Sequence, residues 1–205
     1  VSGIAWFRAM ERQPGFLSAH SGGSEDFLKR IASTVGAKQD DREISVLLAA
    51  ANRSKGADWW RVATLAGLAE GMQRSSQGRV ALPQATRATI SELLEASPKV
   101  ASAALDVIER AGLFDLPRLQ AAIHRSTMIA RDDKAPREVR VNAVRLLGLD
   151  RANRSLTLLD QLLAPRQPTE IQRAAANSLL ARREATATAI LIDKWQSLSA
   201  PASET

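Results

Sequence analysis

Apolar residues recur three and four positions apart along almost the whole chain, and alternation of apolar with polar side chains is scarce. The first spacing keeps one face of a helix apolar; alternation would mark a half-buried strand. The chain is therefore expected to be all-α, with about ten helices of roughly 10 to 16 residues. Ser24-Glu25-Asp26 is expected to open one helix. Pro83, Pro98, Pro136 and Pro168 stand where first-turn prolines belong, since a proline there forfeits no helical hydrogen bond. Gly36, Gly56, Gly112 and Gly148 fall near expected helix ends. The short linkers imply antiparallel helical hairpins.

The helices repeat. Val139, Ala143, Val144 and Leu147 align with Ile171, Ala175, Ala176 and Leu179 at an offset of 32. Backward shifts of 39, 40 and 33 bring in Val100, Ala104, Leu105 and Ile108, then Trp60, Thr64, Leu65 and Leu68, then Phe27, Ile31, Ala32 and Val35. The pattern is a large apolar residue, a small one four later, and apolar residues five and eight later. The first unit departs from it, with Ile31 at the small position. Between these first helices lie second helices near 40–52, 84–96, 115–131, 153–163 and 184–198. Their stripes are Ile44, Leu47 and Leu48; Ile90, Leu93 and Leu94; Leu116, Leu119 and Ile123; Leu156, Leu159, Leu162 and Leu163; and Leu191, Trp195 and Leu198.

A two-helix unit with this period predicts an α-α superhelix of about five hairpins, a HEAT/armadillo-like solenoid. Pro136-Arg-Glu-Val-Arg-Val-Asn-Ala143 resembles the opening of a HEAT first helix, which commonly reads D/P-x-x-V-R-x-x-A; the unit at 97–112 is the weakest match. The expected organisation is a partial N-terminal helix and linker over 1–23, a repeat domain over 24–199, and a C-terminal linker over 200–205. Ile4, Phe7 and Met10 suggest half of a further N-terminal repeat. A start at Val1 suggests a piece of a longer protein.

Two stretches carry a more specific resemblance. One runs from Ala135 to Gly148 and continues through Leu162-Leu-Ala-Pro-Arg-Gln-Pro168 to Leu180. The other is Phe27–Ala37, followed by Trp60–Met72 with its Gly67-Leu-Ala-Glu-Gly71. Together they resemble the helical segment of large exported membrane-bound dehydrogenase-like proteins of planctomycete type. In that family a propeller resembling sugar dehydrogenases precedes the helical segment, and a cytochrome c domain with C-x-x-C-H follows it. The resemblance covers residues 24–200 and rests on scaffold positions. Neither the haem motif nor the propeller has a counterpart here, so the family's functional residues have no positions in this chain to carry over. The resemblance implies a periplasmic or exported connector, with haem c in a neighbouring domain.

Composition sharpens the functional side. The 205 residues are 45% hydrophobic and 24% charged, ordinary values for a folded chain. There is no Cys and no Tyr, and the two His, His20 and His124, lie far apart. Thiolate catalysis, disulfides and zinc fingers are thereby excluded, and the chain reads as non-catalytic with no cofactor of its own. No apolar run reaches the roughly 20 residues of a membrane span. Of the net charge of +6, the stretch 134–183 holds ten basic and four acidic residues, and Arg outnumbers Lys 22 to 6. Arginine forks suit carboxylate or phosphate partners; a solvated helical face is the plainer reading.

Two places are candidates for partner binding. Trp59 and Trp60 are consecutive and point about 100° apart on a helix, so with Trp60 in the core Trp59 is a groove or interface aromatic, or else a ridge contact to the preceding helix. Arg137 and Arg140 share a face three residues apart, and with Arg173 they form a basic ladder for docking an acidic neighbour, or else a solvated face. His20-Ser-Gly-Gly-Ser24 reads as a linker, His124 as a packed helix residue, and Asp132-Asp133 as a helix-ending loop lacking calcium-loop spacing.

The leading expectation is a monomeric scaffold that binds a protein or neighbouring domains of its own chain. The alternative is a HEAT-like DNA-binding protein or alkylpurine DNA glycosylase, to which Asp58, the tryptophan pair and the net charge lend a loose fit. The confinement of basic residues to one stretch makes nucleic acid the weaker partner. A lyase-type accessory acting on a bound chromophore has only the repeat class behind it.

Overall fold

The computed structural model describes residues 3–13, 15–53, 57–75, 81–116 and 118–194. Among them are eleven helices and no strand. The first helices of the repeat are α2 (Gly22–Lys38), α4 (Asp58–Arg74), α6 (Pro98–Ala111), α8 (Arg137–Gly148) and α10 (Thr169–Arg182). The second helices are α3 (Asp41–Arg53), α5 (Gln84–Leu93), α7 (Leu119–Arg131), α9 (Leu156–Leu162) and α11 (Ala185–Lys194), and α1 (Gly3–Arg12) precedes them all. Trp195, Leu198, Gly56 and the expected linker 200–205 lie outside the described residues. The chain is an all-α helical array that divides into two compact units, 1–117 and 118–205. The dividing point falls between α6 and α7, inside one hairpin of the repeat alignment.

In the first unit α2, α4 and α6 lie side by side, with α4 in the middle, while α3 packs on α5 and α1 covers α2 and α3. A helix with neighbours on both flanks cannot afford a polar face. Accordingly α4 buries Trp60, Ala63, Thr64, Leu65, Leu68, Ala69 and Met72 around most of its circumference. Phe7 of α1 reaches in to Trp60, with ring centroids 6.2 Å apart.

The α2–α4 seam closes backbone to backbone. A Cβ added at Gly36 would run into the Leu68 carbonyl oxygen, at Gly67 into that of Lys29, and at Gly71 into that of Ser33. Gly36 lies in the last turn of α2, and its lack of a side chain serves this approach rather than a helix stop. The true stop is Gln39, left-handed at φ 54°.

In the second unit α8 packs on α10, α7 on α8, and α9 and α11 on α10. Ala143, Val144, Leu147, Ile171, Ala175, Ala176 and Leu179 are buried, as the repeat alignment requires. Gly148 meets Ser178, whose Cβ would stand 2.7 Å from an added methyl group. Ser178 Oγ donates to the Val144 carbonyl at 3.2 Å across the same seam.

Local signals place most helix ends. Pro98 occupies the first turn of α6, and Pro83, Pro136 and Pro168 stand at the caps of α5, α8 and α10. Gly112 closes α6 in the left-handed region at φ 68°. Two expectations need correction. The second of the helices starts at Gly22, because Ser21 and Ser24 form a reciprocal capping box, so Ser24 is the third helical residue. Phe27 does not fill the large apolar position of its repeat: it is 42% exposed, and Leu28 beside it is the interior residue at 1%. Phe27 instead meets Trp6 edge to face, centroids 6.3 Å apart.

Candidate functional site

The residue just after the large apolar position is polar in three first helices: Arg61, Arg140 and Gln172. All three are buried. The last four carbonyls of a helix have no intrahelical partner, and the helix dipole leaves that end negative. Arg61 and Arg140 each reach back to such an end, and Gln172 to the loop between α9 and α10. Arg61 Nε donates to the Ala51 carbonyl at 2.8 Å, in the last turn of α3, while its Nη1 pairs with Asp58 at 3.0 Å. Arg140 Nε donates to the Ala130 carbonyl at 2.8 Å, in the last turn of α7. The Gln172 amide donates to the Gln167 carbonyl at 2.8 Å, with the Ala164 and Pro165 carbonyls at 3.3 and 3.4 Å, just beyond α9. The polar position thus ties α3 to α4 and α7 to α8, and Gln172 orders the turn between α9 and α10.

Arg140 is therefore no rung of an exposed ladder. It is 4% exposed, and its Nη2 also donates to Gln167 Oε1 at 2.7 Å and to Asp133 Oδ1 at 2.8 Å. Three-residue spacing puts Arg137 and Arg140 near one another on α8, but the loops before α8 and α10 cover only the second. Arg137 stands at the surface and donates to Glu170 Oε1 at 2.8 Å, linking α8 to the first turn of α10. Arg173 is exposed one turn along from Glu170. The Glu170 carboxyl is held below its ordinary range, first by its own backbone N–H and then by Arg137 and Arg173. Arg137 and Arg173 thus flank a shared carboxylate.

Trp59 is half-buried, and its ring lies 5.1 Å from that of His20, tilted by 39°. His20 Nε2 in turn lies 2.7 Å from Glu25 Oε2. The stretch read as a linker therefore folds back onto Trp59. The indole Nε1 is buried with no hydrogen-bond partner among the described residues. His124 is on the exposed face of α7, not packed, because Leu119, Ala122, Ile123 and Ser126 supply the inward stripe. Asp132 does end α7, its Oδ1 accepting from the Lys134 backbone N–H at 2.9 Å.

Sequence reasoning missed Arg61 and Gln172. The repeat alignment itself held the signal, since it equates both with Arg140, yet a register of apolar positions draws no attention to the polar residue beside each.

No family model, curated protein or solved structure matches this chain. No helix among the described residues is long and apolar enough to cross a membrane. Among the same residues no group of three or more His, Cys, Asp or Glu side chains is placed to hold a metal ion.

Proposed function

We propose that the chain is a HEAT-type α-solenoid acting as a non-catalytic scaffold, holding neighbouring domains of a larger exported, dehydrogenase-like haem protein. One observation carries the scaffold reading. Three buried polar side chains of a kind an active site would use, Arg61, Arg140 and Gln172, are committed to backbone carbonyls, the arginines at helix ends and Gln172 in the loop before α10, and the buried charges Asp150 and Arg182 bond Ser155 and Asn153. Such bonds serve rigidity, and a stack of hairpins so tied offers its long surface to partners. The connector role rests on the stretches resembling the planctomycete-type family, Ala135–Leu180 and Phe27–Met72.

The glycosylase alternative draws less support. Its carboxylate, Asp58, is engaged by Arg61, and its aromatic, Trp59, lies against His20.

Two measurements test the reading. Reading the parent gene past codon 205 is expected to reveal a C-x-x-C-H within the next domain length; a stop codon there would defeat the connector role. The purified chain is expected to leave a DNA duplex unshifted at low salt. A shift that weakens steeply with salt would mark phosphate binding and overturn the scaffold reading.

A further inference from the structure

The second unit contains a cavity of about 600 Å³ beside the loop that leads into α10. Its floor is aliphatic: Leu158 and Leu162, both buried, with Pro168 at the edge. Its charged lining is Arg131, Arg140, Arg166 and Asp133. Three guanidiniums against one carboxylate leave a local excess of positive charge. Arg131 and Arg166 are exposed, and neither has an ion pair among the described residues. Arg140 is fixed in the wall by the Ala130 carbonyl and by Gln167 Oε1. The one carboxylate present, Asp133, comes from an exposed loop and already sits on Arg140 at 2.8 Å. The wall thus displays, within the chain itself, the group it accepts.

We infer that this cavity binds a short acidic segment of a partner protein, with carboxylates on Arg131 and Arg166 and an aliphatic side chain over Leu158 and Leu162. The inference rests on the scaffold reading and supplies its partner chemistry. Guanidinium forks match carboxylates with paired hydrogen bonds, and the volume suits two or three side chains. The cavity also lies in the stretch 134–183 and its immediate flank, where the chain's positive excess is concentrated. Nucleic acid fits less well, because the lining residues include no aromatic for a base to stack on.

The test is an amide NMR titration of the full chain with the N-acetylated, C-amidated pentapeptide Glu-Asp-Leu-Glu-Leu at low salt. Saturable shifts at Arg131, Leu158, Leu162 and Arg166 are expected, and the Gln-Asn-Leu-Gln-Leu peptide should leave them still. The double variant Arg131→Gln, Arg166→Gln should weaken binding roughly tenfold. Both side chains are exposed, so its melting temperature should match the parent's and exclude misfolding as the cause. Equal binding by the neutral peptide, equal binding by inorganic phosphate, or no loss in the double variant would each overturn the inference. No peptide shifts, with cross-links to a neighbouring domain elsewhere on the chain, would defeat the cavity and leave the scaffold standing. Shifts by duplex DNA alone would defeat both.

Discussion

The seams α2–α4 and α8–α10 join equivalent helices of the repeat by different means. At α2–α4 the helices touch through Gly36, Gly67 and Gly71, with no room for a single added methyl group. At α8–α10 one glycine, Gly148, faces a serine, and polar links bridge the helices: Ser178 to Val144 and Arg137 to Glu170. The first seam is chiefly a matter of shape, built from groups that cannot yield, with polar links (Lys29 to Glu70 and Arg74 to Ser33) beside the glycine contacts. The second is a matter of partners, built from side chains that can shift.

The contrast breaks first at the glycines. Gly71→Val should destabilise the first unit by about 3 kcal/mol, the upper end for overpacking, because the clashing atom is a backbone oxygen. Gly148→Ala should cost about 1 kcal/mol, the lower end of the same range, since Ser178 can move. Urea unfolding of both variants measures the difference, and equal losses would erase the distinction.

Next come the buried donors. Arg140→Leu strands the Ala130 carbonyl and should cost about 2 kcal/mol, with Arg61→Leu close to it, because each leaves one buried acceptor unpaired. Arg140→Lys should recover little, since one ammonium cannot reproduce a fork that spans a carbonyl, an amide and a carboxylate. Full recovery by lysine in thermal melts would show that charge alone matters.

A smaller effect of opposite sign tests the helix ends. Gln39 and Arg183 close α2 and α10 in the left-handed region. Gln39→Gly and Arg183→Gly should each stabilise by about 1 kcal/mol by removing the steric cost of a side chain there. Unchanged melting temperatures would place the strain elsewhere.

The smallest effect is with acid. Asp40 lies below its ordinary 3.8, chiefly because it accepts from the Glu43 backbone N–H, and Glu170 lies below its ordinary 4.5. A lowered folded value means that the stabilisation is full above the ordinary value and fades as pH falls through the folded one. Below about pH 4 the α8–α10 seam should therefore loosen, while the backbone contacts through Gly36, Gly67 and Gly71 do not titrate and the α2–α4 seam loses only the surface pair of Lys29 with Glu70. Amide hydrogen exchange across the acid range reads both seams, and earlier opening at α2–α4 would reverse the assignment.

Much of this was legible in the residues. The spacing of apolar positions located all five second helices, and the repeat register marked the interior residues of α4, α6 and α10. What escaped it depended on neighbours. Phe27 and Leu28 are both large and adjacent, so spacing cannot choose between them; the folded chain does, burying Leu28 and leaving Phe27 against Trp6 of α1. Arg140 shares a face with Arg137 on an isolated helix, and only the loop before α8 and Gln167 bury it. Gly67 and Gly71 were visible as residues, but their purpose lies in the carbonyls of another helix. The contact of His20 with Trp59 spans 39 positions with no local pattern to announce it.

The backward reach of Arg61, Arg140 and Gln172 gives the array a direction. Two second helices are finished by a side chain made later in synthesis, α3 by α4 and α7 by α8, and the turn after α9 waits for α10. A nascent chain leaving the ribosome would carry the ends of α3 and α7 frayed until α4 and α8 emerge. Trimming from the C-terminal side back to α3 or α7 would uncap the helix left behind, whereas trimming whole hairpins from the N-terminal side would remove neither cap that the remainder needs.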